Sequence, residues 1–420
     1  MLNPRHAPRL LTALMLLALT GSAQAQVGLP GGLRPNVGAG VGGSVSGALD
    51  RLDNTLGEVT RPATQLVSDA RQLADARLER LGDFLRSHRA TVEADDTGQP
   101  ARVHEVLLLS PDAAALASAQ AAGYALVEQG DLDGLGIAYA RLATPTGTSL
   151  TAALRQLRHL LPGKEISADQ LHFPGGSTHA GGSDPQPSAA MPHGGTVGII
   201  DGGTLPGPRI VAQTGFAQGG PRPNAHAQAI ASLLAGAGTA RIYVADVYGG
   251  DPAGGNALAI ARALAWMAGK TVPVVSISLV GPSNPLLSRA VAAVQAKGMI
   301  VTAAVGNDGA AAPPAFPASY EGVVAVTGVD GQGRVLFEAG RASHLDYAAP
   351  GADMTATGLS GKAEKLRGTS FAAPLVAARI AALGQGGGAP RAILQRADAE
   401  AVKARNTGHG VLCGTCRKGL

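Results

Sequence analysis

The spacing of apolar positions changes several times along the chain. Between residues 49 and 89, Leu52, Leu56, Val59, Leu66, Leu73, Leu78, Leu81 and Leu85 recur at mostly helical intervals among charged neighbours, with Pro62 as a break. That pattern predicts one or two amphipathic helices within a segment 49–102. Apolar runs between 103 and 173 then predict strand 103–109, helix 111–122, strands 124–127 and 135–142, helix 150–161 and strand 166–173. The β-α-β-β-α-β order is that of a small ferredoxin-like α+β sandwich, a fold that carries no function by itself.

From residue 196 the pattern changes again. Continuous apolar runs at 197–200, 242–247, 272–279, 299–304 and 323–329 alternate with helical stretches at 226–235, 256–268 and 286–297. Strands without polar alternation are buried on both faces, so an α/β domain with a parallel sheet covered by helices on each side is expected over 196–385. In such a sheet, ligands lie beyond the carboxyl ends of the strands. Two stretches lack apolar periodicity and read as a Gly-rich tether, 26–48, and a Gly/Ser/Pro/His linker, 174–195. A tail, 386–420, holds a C-x-x-C pair.

The amino terminus has its own logic. Arg5, His6 and Arg9 precede an apolar run at 10–19 and then Ala23-Gln24-Ala25, the layout of a secretory signal peptide over 1–25, so a secreted or periplasmic protein is expected. No other run approaches the ~20 apolar residues needed to cross a bilayer, so no membrane span is expected in the mature chain. An apolar content of 45% is enough for a folded core. A net charge of +4 with only 3% aromatic residues offers neither a strong basic field nor stacking rings, which argues against a nucleic-acid partner.

Four polar residues sit where such a sheet places its ligands: Asp201 after V-G-I-I, His226 opening a helical stretch, Asn307 after V-T-A-A-V-G, and Ser370 in R-G-T-S-F-A-A-P. Asp, His and Ser are what nucleophilic acyl transfer requires, and an Asn amide is a suitable donor to an oxyanion. Taken singly each has a plainer reading, as a turn residue for Asp201 and Asn307 and a helix cap for Ser370. Cys413 and Cys416 are the only cysteines and are expected to close a small disulfide loop in an exported protein.

V-G-I-I-D-G-G, H-A-Q-A-I-A-S-L-L-A-G, I-S-L-V-G, A-A-V-G-N-D-G and G-T-S-F-A-A-P-L-V-A-A together resemble the subtilisin-like serine peptidases, or subtilases, over roughly 193–385. The resemblance implies a three-layer α/β fold, an Asp201–His226–Ser370 triad with Asn307 at the oxyanion, and a polypeptide substrate laid along Ser278, Leu279, Val280 and Gly281. It also implies an endopeptidase made as a zymogen, the 103–173 module being a prodomain that inhibits its own enzyme. The chemistry needs no metal or organic cofactor, and the sequence assigns no structural calcium site. Two departures stand out: His226-Ala227-Gln228 where the family usually has His-Gly-Thr, and Asp201-Gly202-Gly203 where it has Asp-Thr-Gly or Asp-Ser-Gly. A loosened histidine support would make the chain a pseudopeptidase that binds peptides as an added strand without cutting them, and restoring Gly-Thr at 227–228 would then preserve or raise activity.

Signal-peptide cleavage is expected before Gln26. Amino-terminal sequencing of the exported protein checks this, and a chain starting at Met1 would contradict it.

Overall fold

The computed structural model describes residues 63–180 and 194–419. The expected signal peptide and tether, the first part of the 49–102 segment and residues 181–193 of the expected linker lie outside the described residues.

A long helix, Ala63–Ser87, comes first, followed by β1 (Val92–Ala94) and β2 (Pro100–Leu109) in an antiparallel hairpin. The segment expected to be helical to 102 therefore turns to strand at Val92, where Asp95 accepts backbone N–H bonds from Thr97 and Gln99 and forms the turn. The helix Ala113–Ala121, β3 (Ala125–Leu132), β4 (Ile137–Ala143), the helix Leu150–Leu160 and β5 (Ile166–Gln170) complete the module. In its antiparallel sheet β2 pairs with both β4 and β5, and β4 with β3, which is the ferredoxin-like arrangement.

The pleat of β2 explains how this module is held. Val106 and Leu108 pack on its own helices through Ala115, Leu150, Leu154 and Leu157. Leu107 and Leu109 face the other way, into a core shared with Leu258, Leu264, Leu286 and Val291 of the following domain.

β6 (Phe173–Pro174) and β7 (Ser177–Ala180) lead into the large domain. There β8 (Thr196–Asp201), β9 (Ile210–Gly215), β10 (Arg241–Asp246), β11 (Val274–Ile277), β13 (Ile300–Ala304), β14 (Val324–Val329), β15 (Tyr347–Pro350) and β18 (Gly410–Val411) form one eight-stranded sheet. Its pairings are parallel throughout, in the order β18-β15-β14-β13-β11-β8-β10-β9. β12 (Leu279–Val280), β16 (Met354–Thr357) and β17 (Ala363–Arg367) lie outside it. Helices Ala257–Gly269 and Pro285–Ala296 pack on one face, and Ala225–Gly236 and Thr369–Gly384 on the other. Ile200, Val275 and Val301 point to the first pair, Val197, Ile199 and Val274 to the second, as strands buried on both faces require.

The domain does not stop at residue 385. The helix Pro390–Glu400 places Ile393 and Ala397 in the core beside Ile380, and β18 pairs with β15, so the expected tail is an integral part of the sheet. Cys413 and Cys416 are joined as expected, and both are buried in that same core.

The two modules meet at Asn284, fully buried at the start of the Pro285–Ala296 helix. Its Oδ1 accepts the Leu286 and Leu287 N–H groups, while its Nδ2 donates to Ala168 O at 3.0 Å and Gln170 Oε1 at 2.7 Å in β5. One side chain thus caps a helix of the large domain and pins the smaller module. Asn284→Ala is expected to lower the unfolding free energy by about 2–4 kcal/mol, because a cap and buried bonds are lost together. Urea denaturation checks this, and a change below about 0.5 kcal/mol would show that neither interaction matters.

Candidate active site

β8 ends at Asp201, which is fully buried. Its Oδ1 accepts the Gly202 N–H at 2.8 Å and its Oδ2 lies 2.9 Å from His226 Nδ1. His226 is the second residue of the Ala225–Gly236 helix, which begins there because the Asn224 side chain accepts the Ala227 N–H at 2.7 Å. The carboxylate fixes the ring through Nδ1 and leaves Nε2, buried and without a partner, directed into the site.

Ser370 is the second residue of the Thr369–Gly384 helix and is fully buried. The preceding Gly368 has φ 139°, a backbone that side-chain-bearing residues rarely adopt. Pro374, inside the helix, has no N–H to give to the Ser370 carbonyl four residues earlier. The Ser278 hydroxyl supplies that bond instead, at 2.8 Å, and the Ser370 hydroxyl donates back to Ser278 O at 3.1 Å. Asn307 is anchored through its Oδ1, which accepts the Thr369 N–H at 2.9 Å, while its Nδ2 is buried and unpartnered. The geometry therefore pairs Asp201 with His226, sets the His226 ring 5.3 Å from that of Phe371, the residue after Ser370, and ties Asn307 to Thr369, the residue before it.

Both departures from the usual motifs have local compensation. A Cβ on Gly202 would lie 1.8 Å from Asn224 Nδ2, so the helix cap occupies the room a Thr or Ser would need. Gln228 Oε1 accepts the Leu205 N–H at 3.0 Å and ties the helix to the loop after Asp201, while Ala227 is fully buried. Replacing Ala227-Gln228 by Gly-Thr removes this tie, so the expectation of preserved or raised activity gives way to one of loss.

The expected linker begins as a strand through the site. Phe173 pairs with Val280 and Pro174 with Leu279 in antiparallel register, and the Gly175 N–H donates to Ser278 O at 3.3 Å. On the other edge the His172 N–H donates to Gly255 O at 2.8 Å, and the Tyr248 hydroxyl donates to His172 O at 2.7 Å. Past the serine, Ser177–Ala180 pairs antiparallel with β17. A methyl built on Gly368 would meet Gly175 O and Asn307 Nδ2 each at 2.9 Å, so the Gly175 carbonyl and the orphan amide border the same turn before the serine. Ser278, Leu279 and Val280 thus line the strand's path, and Gly281 backs His172, whose ring carbon Cδ2 would lie 2.6 Å from a Cβ there.

Sequence reasoning assigned no chemistry to the first helix, yet it lies across this chain. Phe84 meets Phe173 edge to face, with ring centroids 5.0 Å apart. Arg77 reaches Asp308 at 3.2 Å and Arg80 pairs with the same carboxylate, while Leu73 packs on Gly309. The contacts with Asp308 and Gly309 span more than two hundred residues, and no local pattern announces them. Asn224, by contrast, had a signal: a capping residue directly before a helical run.

The comparisons agree with this architecture. Residues 196–409 match the subtilase family. Subtilisin BL of Lederbergia lenta is 30% identical over 205 residues, spanning 45% of this chain and 76% of that protein. The major intracellular serine protease of Bacillus subtilis (strain 168) is 34% identical over 148 residues, spanning 34% of this chain and 46% of that protein. Fervidolysin of Fervidobacterium pennivorans, described as a keratinolytic enzyme related to subtilisin, shares the fold with a TM-score of 0.62 at 15% identity, over 76% of this chain and 61% of that one. The chain belongs to the subtilase family and is a subtilisin-like serine endopeptidase.

Two buried groups near the threaded strand titrate in opposite senses. Burial pushes the His172 imidazole down from 6.5 to about 4, against the upward pull of the Gln170, Pro282 and Gly255 carbonyls, and neither ring nitrogen has a well-formed partner. Burial pushes Asp169, whose Oδ1 accepts the Leu258 N–H, up from 3.8 to about 7, with that bond and Arg102 opposing. The histidine's contribution to stability is present above 6.5 and is lost as pH falls to about 4; the aspartate's is present below 3.8 and is lost as pH rises to about 7. Over the shared window the two slopes cancel. Asp169→Asn is therefore expected to expose the histidine slope, a loss relative to the parent of about 1.4 kcal/mol per pH unit on acidification below 6.5. Unfolding free energies measured from pH 7 to 4 in a Ser370→Ala background check this, and parallel curves would refute it.

Proposed function

We propose that this endopeptidase is made as an exported zymogen, that Asp201, His226 and Ser370 form its triad with Asn307 as oxyanion donor, and that its first substrate is its own bond between Gly175 and Gly176. The observation that carries this reading is the strand from His172 to Ala180, hydrogen-bonded on both edges and lying with the Gly175 carbonyl beside Asn307.

The chemistry follows from the arrangement. His226 Nε2 takes the Ser370 proton as Oγ attacks the Gly175 carbonyl, after the hydroxyl turns from Ser278 O towards the imidazole. Asp201 holds the ring and stabilises its charged form, and Asn307 Nδ2 donates to the oxyanion as it forms. The protonated imidazole then gives its proton to the Gly176 amine, and water hydrolyses the acyl-enzyme. No metal or organic cofactor is assigned to any step.

After the cut, residues 63–175 stay as an inhibitor because their docking does not depend on that bond: Leu107 and Leu109 on the Ala257–Gly269 and Pro285–Ala296 helices, Asn284, and the Arg77 and Arg80 pairs with Asp308. The order of elements also favours a folding aid, since a parallel sheet of non-local contacts forms slowly and gains from a preformed surface. Export is supported by the amino-terminal pattern and by the Cys413–Cys416 disulfide. Among the described residues no helix is long and apolar enough to cross a membrane, and polypeptide is the only partner class proposed.

One observation favours binding without cleavage: the Ser370 hydroxyl donates to Ser278 O, not to His226. Labelling with a fluorophosphonate decides between the readings, because it requires an activated serine. Wild type is expected to label, Ser370→Ala not to label, and the mature amino terminus to be Gly176 in wild type alone. Absence of labelling in wild type would leave a peptide-binding pseudopeptidase. Asn307→Ala is expected to lower kcat by ~100–1000-fold with little change in KM, and unchanged kcat would remove Asn307 from the oxyanion site.

A further inference from the structure

The contacts around Gly175 bear on substrate choice, an inference that rests on the strand from His172 to Ala180 being the first substrate. We propose that Val280 fills the slot that receives the side chain on the acyl side of the scissile bond, making the enzyme selective for polypeptides with glycine at that position.

The direction of the side chain is set by the backbone. With its N–H on Ser278 O and its carbonyl beside Asn307, Gly175 would send a Cβ to within 3.1 Å of Ser370 Oγ, 3.5 Å of Gly306 Cα and 3.6 Å of Asn307 Nδ2. The first carbon is already tight, and further carbons must pass between Gly306 and β12. That gap is closed from the other side. A Cβ built on Gly306 would meet Val280 Cγ1 at 3.3 Å, Cγ2 at 3.6 Å and Cβ at 3.7 Å, so the isopropyl group lies against the opposite wall.

Val280 has little freedom to move aside. Branching at Cβ restricts its χ1. Its backbone is paired with Phe173 on one side, and the next residue, Gly281, exchanges bonds with Phe316 at 2.9 and 3.1 Å. A methyl at this position already crowds Ser370 Oγ, and a side chain that extends beyond Cβ must push apart two hydrogen-bonded segments. One added carbon in a filled pocket changes kcat/KM by roughly 10–200-fold.

The test uses the mature enzyme produced from the full chain and peptides copying residues 171–179, with Gly175 kept or replaced by Ala, Leu or Phe. Wild type is expected to lose at least about 10-fold in kcat/KM with Ala and about 100-fold with Leu or Phe. Val280→Gly opens the slot, and the Leu-to-Gly ratio of kcat/KM is expected to rise by at least about 10-fold; Val280→Ala gives a smaller rise in the same direction and serves if the glycine variant fails to fold. Wild type that cuts the Leu peptide as well as the Gly peptide, or a ratio unchanged in both variants, would overturn the proposal. Fluorophosphonate labelling is read in parallel: labelled enzyme with no glycine preference sinks this inference alone, whereas unlabelled enzyme that cuts no peptide sinks the triad reading beneath it as well.

Discussion

The missing N–H of Pro374 is the constraint on which the site turns. A helix buried along most of its length needs every carbonyl satisfied, and the one at Ser370 has no intrahelical donor. Ser278 fills the gap from the loop between β11 and β12, so the helix that carries Ser370 and the segment along which residues 173–175 lie are bonded to each other directly. The helix itself is fixed by Phe371, Leu375, Val376 and Ile380 against the sheet. Position and alignment of the serine are thus properties of the core, and the loop adds the final restraint.

The same economy governs the smaller module. Its sheet offers alternate β2 residues to its own helices and to the catalytic domain, so it buries both faces and cannot leave without exposing Leu107, Leu109, Leu132 and Ile137. Polar pins sit inside that contact rather than around it. Asn284 and Asp169 each join β5 to the first turn of a catalytic-domain helix, where unpaired N–H groups and the positive end of the helix dipole favour an oxygen.

Much of this was legible in the sequence. Continuous apolar runs point to the parallel sheet, the order of strand-like and helical stretches over 103–173 points to the split βαβ module, and four ordered motifs mark Asp201, His226, Asn307 and Ser370. What was not legible shares one physical cause: it depends on residues far apart in the chain. The use of Leu73, Arg77, Arg80 and Phe84 over the site is written as an ordinary amphipathic pattern, because a helix face looks alike whether it packs on a scaffold or a cleft. The tail misled for a similar reason, since β18 is too short to show a strand pattern and exists only because β15 offers it an edge. The two departures looked like defects because their compensating partners, the Leu205 N–H for Gln228 and the Asn224 side chain for Gly202, lie outside the motifs.

Gly175 and Gly176 show how composition can mislead about cause. In a stretch rich in Gly, Ser and Pro, glycine suggests a flexible connector. Here the chain is extended and paired on both sides of the pair, so flexibility is not what the residues provide. Close approach is: a Cβ on Gly175 would crowd Ser370 Oγ at 3.1 Å, and one on Gly176 would meet Phe371 Cε2 at 2.9 Å. Phe371 belongs to the buried helix, Val280 is paired with Phe173, and the Gly306 carbonyl accepts the Gly340 N–H, so none of the three can yield cheaply. The glycines are therefore the complement of a narrow cleft: a side chain at Gly176 has to displace Phe371 of the buried helix, and one at Gly175 has to displace the Ser370 hydroxyl before it can extend towards Gly306.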